Sequence, residues 1–186
     1  MIRFDHVTFG YRGKQPVMED FSLEISPGQR ICLSGPSGEG KTTALRLLLG
    51  LEKPRRGRIT GTDGLRFSAV FQEDRLIPER TVLENTALFA DETAARAALD
   101  ALGLGEVLHS RPGELSGGQR RRAALARALA HPFDVLVLDE ALTGLDGGNV
   151  RRCLAAIDRA ARDRTLVMVT HDLAHAAELG AQILEI

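Results

Sequence analysis

The chain has 186 residues, 44% of them hydrophobic and 26% charged, with a net charge of −1. Such a length fits one domain with a sizeable core, and the composition is that of a globular chain rather than a disordered one. A near-neutral balance supplies no global basic field, which argues against sequence-indifferent nucleic-acid binding; no nucleic-acid partner is expected.

Met1–Gly10 contains no apolar signal-peptide region, and no uncharged apolar run reaches the ~18 residues that cross a bilayer. The expectation is a cytosolic protein, or one held at a membrane by a partner. "FSLEIS" (Phe21–Ser26) alternates apolar and polar residues like a half-buried strand. After Pro27 and Gly28, "RICLS" is nearly continuous in apolar residues, as central parallel strands are. Cys32 in that run reads as a small buried hydrophobe, and with Cys153 far away neither a disulfide framework nor a metal-ligand spacing emerges.

A helix is expected over Thr42–Leu49 and a strand over Phe67–Phe71. A mostly helical stretch, Thr81–Ala130, follows, opened by the capping-box pair Thr81 and Glu84 and containing the alanine-rich amphipathic "ETAARAALDALGL". Then come the strand Val135–Leu138, a helix over Asn149–Arg162, the strand Leu166–Val169, a helix near Leu173–Leu179 and a short final strand. Alternation of this kind predicts an α/β fold with a mostly parallel sheet. No linker composition isolates the segment 73–122, so it reads as a helical insertion in a single domain, 1–186, whose core is 1–72 and 123–186.

In open α/β sheets, ligands bind beyond the carboxyl ends of the strands, and four of these strands end in residues suited to phosphate. The first runs into "GPSGEGKTT" (Gly35–Thr43), which fits G-x-x-x-x-G-K-[ST]. Its backbone amides can curl around a phosphate, Lys41 adds positive charge, and the Thr42 hydroxyl suits Mg²⁺. The third ends "VLVLDE": Asp139 is placed to hold Mg²⁺ through its water shell, and Glu140 to polarise an attacking water. The second ends at Gln72 and the fourth at His171. Alone, a glutamine there is most often solvated and a histidine most often a cap. On one rim with the phosphate loop, both become site candidates.

"ELSGGQRRRAALARALA" (Glu114–Ala130) poses a separate question. Ser116 and Gln119 have capping-box spacing, and Gly117 and Gly118 leave the backbone bare where an anion can approach a helix N-terminus. That would be a second anion cradle in a chain that already has one. The arginines that follow, Arg120–Arg122, read as a solvated helix face.

Together these motifs resemble the nucleotide-binding subunits of ATP-binding-cassette (ABC) transporters, from "FGYRG" to "THD", and "LSGGQ" is the most specific of them. The resemblance implies a P-loop NTPase core with an N-terminal antiparallel β portion and a helical subdomain. It also implies an ATPase using ATP and Mg²⁺. Tyr11 resembles the aromatic that stacks on adenine. Gly35, Pro36, Ser37, Gly38, Glu39, Gly40, Lys41, Thr42 and Thr43 resemble the phosphate loop. Gln72 is similar to the glutamine that contacts Mg²⁺ or the attacking water, so that Thr42, Gln72 and Asp139 form the implied metal set. Ser116, Gly117, Gly118 and Gln119 match the signature, Glu140 the catalytic base, Asp146 the D-loop aspartate and His171 the switch histidine.

In that family two copies pack head to tail, and each signature serves the nucleotide of the other copy. The implied partners are therefore a second copy, membrane permease subunits and an extracytoplasmic substrate-binding protein, with the chain at the cytoplasmic face of the membrane. "VFQEDRLIPERTVLEN" (Val70–Asn85) further resembles ATPases of nitrate, sulfonate and taurine importers. Three departures stand out: Ala141 where the family has proline, short spacings on both sides of Gln72, and an end soon after His171 that leaves no room for a C-terminal regulatory domain. The alternatives are a soluble ATPase of the same class acting in DNA repair or translation, and a nucleotide-regulated binding module with little turnover.

Overall fold

The computed structural model describes residues 1–11, 13, 15–36 and 38–186; Ser37, one of the expected phosphate-loop residues, lies outside the described set. Two sheets organise the chain. The strands β1 (Ile2–Phe9), β2 (Met18–Ile25) and β4 (Arg56–Thr60) form an antiparallel sheet in the order β2-β1-β4. A parallel five-stranded sheet holds β3 (Arg30–Ser34), β5 (Phe67–Val70), β6 (Val135–Asp139), β7 (Thr165–Val169) and β8 (Gln182–Glu185) in the order β5-β6-β7-β3-β8.

The side-chain period of two in a strand splits the core into two layers. Ile31, Leu33, Val135, Val137, Val167 and Val169 face the antiparallel sheet and the helix α1 (Lys41–Leu48) between the two sheets. Cys32, Leu136, Leu138, Leu166 and Met168 point the other way. They pack with α2 (Val82–Thr86), α3 (Glu92–Ala101), α4 (Gly117–Ala130), α5 (Gly147–Ala160) and α6 (Leu173–Glu178). Cys32 and Cys153 are both buried free thiols.

Two strands that the hydrophobic pattern did not single out are β1 and β4. In β1 the alternation Ile2, Phe4 jumps to Val7, Phe9, because the pairing shifts register between Phe4 and Val7 around His6, whose φ is +49°. In β4 only Ile59 is apolar, and the strand lies at the sheet edge. Both expected capping boxes form, Thr81 with Glu84 and Ser116 with Gln119. Among the described residues, no helix is long and apolar enough to cross a membrane.

Because β3, β5, β6 and β7 run parallel, the ends carrying Gly35, Gln72, Asp139 and His171 share one edge of the sheet. That edge is the floor of the site.

Candidate active site

The β3-to-α1 turn is built by glycines. Gly35 has φ +148°, and a side chain there would collide with Ile186 O, 2.6 Å from the ideal Cβ position, and with the Glu39 carboxylate. Gly40, at φ +98°, occupies the N-cap of α1 with no side-chain cap, so the first-turn amides of the helix lack that intrachain acceptor. Such an end suits an anion. Lys41 is 8% exposed, and its ammonium donates to Gly35 O and Pro36 O, each at 2.6 Å. The loop's own carbonyls hold the charge that the motif assigns to phosphate.

Across the floor, Thr42 Oγ1 donates to Asp139 Oδ1 at 3.2 Å. Asp139 closes β6 and is 3% exposed. Burial pushes its carboxyl above the ordinary range; the Thr42 hydrogen bond opposes this and the neighbouring Glu140 charge adds to it. Glu140 adopts φ +52°, a left-handed backbone that bulky residues rarely take, and its amide donates to Val169 O at 3.0 Å. Thr143 Oγ1 donates to Glu140 Oε2 at 2.9 Å. The other carboxylate oxygen, Oε1, is buried and has no hydrogen-bond partner among the described residues, lying 3.3 Å from His171 Nε2 without hydrogen-bond alignment.

These groups line one cleft of about 500 Å³, together with Tyr11, Val17, Gly38, Gly40, Thr43, Gln72 and Val169. Tyr11 stands edge-on to Phe9 and accepts a hydrogen bond on its hydroxyl from Arg46. Gly35, Pro36 and Glu39 are not among the lining residues: Gly35 and Pro36 accept from Lys41, and the exposed Glu39 carboxylate lies 2.9 Å from the Cβ position of Gly35. The cleft therefore gathers Tyr11, the Gly38 and Gly40–Thr43 part of the expected phosphate loop, Gln72, Asp139, Glu140 and His171.

Ser116, Gly117, Gly118, Gln119 and Asp146 are not in it. Ser116 Oγ accepts from the Gln119 amide and Gln119 Oε1 from the Ser116 amide, which closes the capping box. Ser116 and Gly117 face solvent, and a Cβ on Gly117 would meet nothing closer than 3.9 Å. Gly118 rests on Leu145, 3.4 Å from the Cβ it lacks. Asp146 caps α5, accepting from the Asn149 amide and side chain, and those bonds hold its carboxyl below the usual range.

Two features were missed by the sequence reading. Thr143 secures Glu140, and its three-residue spacing from that carboxylate was the available signal. The arginine run is not a solvated face: Arg122 is buried and donates to Leu102 O and Gly103 O, while Arg121 donates to Phe71 O and Gln72 O. Buried carbonyls at loop and helix ends need donors, and guanidinium groups supply several at once.

The sequence profile of the family described as "ABC transporter" matches residues 18–143. An aliphatic sulfonates import ATP-binding protein, SsuB 1 of Rhodococcus jostii, is 40% identical over 99% of this chain and 79% of its own length. SsuB 1 of Burkholderia cenocepacia is 42% identical over 92% of the chain, which spans only 57% of that relative. Among solved structures, the dimeric cassette MJ0796 superposes with a TM-score of 0.91 at 28% identity, covering 100% of this chain and 94% of its own. A bacterial Atm1-family ABC exporter with ATP bound superposes at 0.90 and 27%, with 37% of that longer chain covered.

The chain belongs to the ABC transporter family. It is an ATPase cassette with the P-loop NTPase fold, and its ligands are ATP and Mg²⁺. The residues fit the ion. Mg²⁺ takes hard oxygen ligands, and here a hydroxyl and a buried carboxylate, whose ionised form burial disfavours, lie 3.2 Å apart on the cleft floor.

Proposed function

We propose that this cassette powers a membrane transporter by hydrolysing ATP between two head-to-tail copies of itself. One observation carries the reading: Gly38, Gly40, Lys41, Thr42 and Thr43 line one cleft with Gln72, Asp139, Glu140 and His171, while Ser116–Gln119, at the N-terminus of α4, do not line it. A second cradle set apart from its own chain's cleft suits a neighbour's nucleotide. A solved relative, MJ0796, has a dimeric form and a dimeric post-hydrolysis form bound to ADP and Pi, which supports this arrangement.

Within the cleft, Tyr11 presents a π face to adenine, and the amides of Gly38–Thr43 bind phosphate oxygens. Lys41 leaves the carbonyls of Gly35 and Pro36 for the triphosphate. Thr42, Gln72 and Asp139 would hold Mg²⁺, which when bound screens charge on the phosphate oxygens. Glu140 takes the proton from a water as its oxygen bonds to the γ-phosphorus and the bond to the β-phosphate oxygen breaks, giving ADP and phosphate. The Oε1 atom without a hydrogen-bond partner is the acceptor suited to that proton. His171, 68% exposed at the rim, steadies the γ-phosphate, and Asp146 marks the turn facing the second copy.

The segment 73–122 acts as the helical subdomain and 1–72 with 123–186 as the ATPase core. The partners are permease subunits at the cytoplasmic face of the membrane and an extracytoplasmic substrate-binding protein. Import is the direction supported by the SsuB relatives, whose names specify aliphatic sulfonates. Glu140→Gln provides the test. It should bind Mg-ATP, turn over about a thousandfold more slowly, and accumulate as a dimer in light scattering. A variant that stays monomeric with excess Mg-ATP and hydrolyses it normally would overturn the reading.

A further inference from the structure

Gln72 stands at the rim of the cleft, yet the groups that hold its backbone come from α4. Arg121 donates from Nη1 to Phe71 O at 2.9 Å and from Nη2 to Gln72 O. Its Nη1 also lies 3.2 Å from Asp74 Oδ1. Six positions along the same helix, Arg127 donates to Arg75 O at 2.7 Å and to Asp74 O at 3.1 Å. Four backbone carbonyls within one five-residue loop are thus bound by two guanidinium groups of one helix. The loop also closes on itself: Arg75 has φ +47°, and its guanidinium sits 4.2 Å from the Phe71 ring centre. Meanwhile the Gln72 side chain stays exposed and lines the cleft.

A planar guanidinium presents paired donors that match two adjacent carbonyls, whereas a lysine ammonium is a point charge on a flexible stem. Arg121, 13% exposed along its side chain, is packed into that geometry rather than waving in solvent. It lies five residues beyond Ser116, a distance of ~7.5 Å along a helix axis. One rigid element therefore carries both the Ser116–Gln119 turn and the loop of Gln72.

We propose that Arg121, assisted by Arg127, is a positioning residue for hydrolysis. It fastens the Gln72 loop to the helix that bears Ser116–Gln119, so that Gln72 takes its working position only when that helix is seated on the second copy's nucleotide. Each chain then learns through its own α4 whether the neighbouring site is occupied. This rests on the shared-site reading above and names the part of the chain that links the two sites.

The test uses the full chain. Arg121→Met should lower kcat about tenfold while KM for ATP stays within about threefold, and Arg121→Lys should recover part of the loss. In a Gln72→Ala background, Arg121→Met should cost less than about twofold, since the side chain it positions is gone. Losses that simply multiply would overturn the proposal, as would a kcat unchanged in Arg121→Met. A second measurement needs no turnover: in the nucleotide-free protein, amide hydrogen exchange across 71–76 should quicken about tenfold in Arg121→Met, and unchanged exchange would also overturn it. If exchange responds as expected but Glu140→Gln never dimerises, the shared-site reading fails while the clamp itself stands.

Discussion

The two edges of the parallel sheet carry similar residues in opposite conditions. At the amino edge, Asp134 before β6 receives a bidentate pair from Arg66, at 3.0 and 3.1 Å, plus the Arg66 amide, with Arg164 nearby. Those hydrogen bonds hold its carboxyl down at about 2. At the carboxyl edge, Asp139 after the same strand is buried with one hydroxyl partner, and its carboxyl is pushed up. Beside it Glu140 keeps a buried oxygen with no hydrogen bond among the described residues, and a strained backbone. One edge has satisfied its charges within the chain. The other leaves them incompletely paired, which is how a site awaits a ligand that brings the missing charge.

The largest expected break in this contrast is Lys41→Ala. The ammonium that now rests on Gly35 O and Pro36 O would no longer reach phosphate, and ATP affinity should fall about a hundredfold, ~2.7 kcal/mol, by calorimetry. Unchanged affinity would remove the carboxyl edge from consideration as the nucleotide site.

Asp139→Asn should act in two directions. A carboxyl whose folded pKa is raised favours its proton in the native state, so its ionised form costs stability as pH rises above the ordinary carboxylate range. The amide keeps an acceptor for Thr42 and carries no charge. At neutral pH the nucleotide-free variant should melt about 2–4 °C higher, while Mg-dependent turnover drops sharply. A lower melting temperature would show that the acid is not stored there at a cost.

The smallest expected effect sharpens the other side. Asp134 has a depressed pKa, so its contribution is present above the unfolded value of 3.8 and is lost as pH falls toward 2. Asp134→Asn should therefore flatten the acid-side loss of stability over that window in melts taken at successive pH values, with ATP turnover at neutral pH unaltered. A steeper acid loss in the variant would contradict the assignment.

Much of the carboxyl edge was legible because its motifs are local. The Gly35–Thr43 motif is contiguous in sequence, between the buried strand β3 and the body of α1, and Asp139 and Glu140 come straight after the uninterrupted apolar run Val135–Leu138, so chain order alone put them at strand ends. The capping box at Ser116–Gln119 was equally readable, since both partners lie within one helical turn. β1 escaped because a bulge at His6 breaks the period of two, and β4 because an edge strand with one apolar residue leaves little trace in a hydrophobic pattern. The arginines of α4 were misread for a different reason. Composition shows a cation but not the carbonyls, 19 to 50 residues away in sequence, that receive it.

By itself, then, the order of residues determined the strand–helix alternation, the glycine-rich passage from β3 into α1 and the acids at the end of β6, since each depends on groups that are neighbours in the chain. Tertiary structure alone decided which charges are paired and which are left waiting. It also placed Ser116–Gln119 outside the cleft and bound the Gln72 loop to α4. Hydrogen bonds and desolvation act over a few ångströms of space, and only folding brings residues distant in sequence within that range.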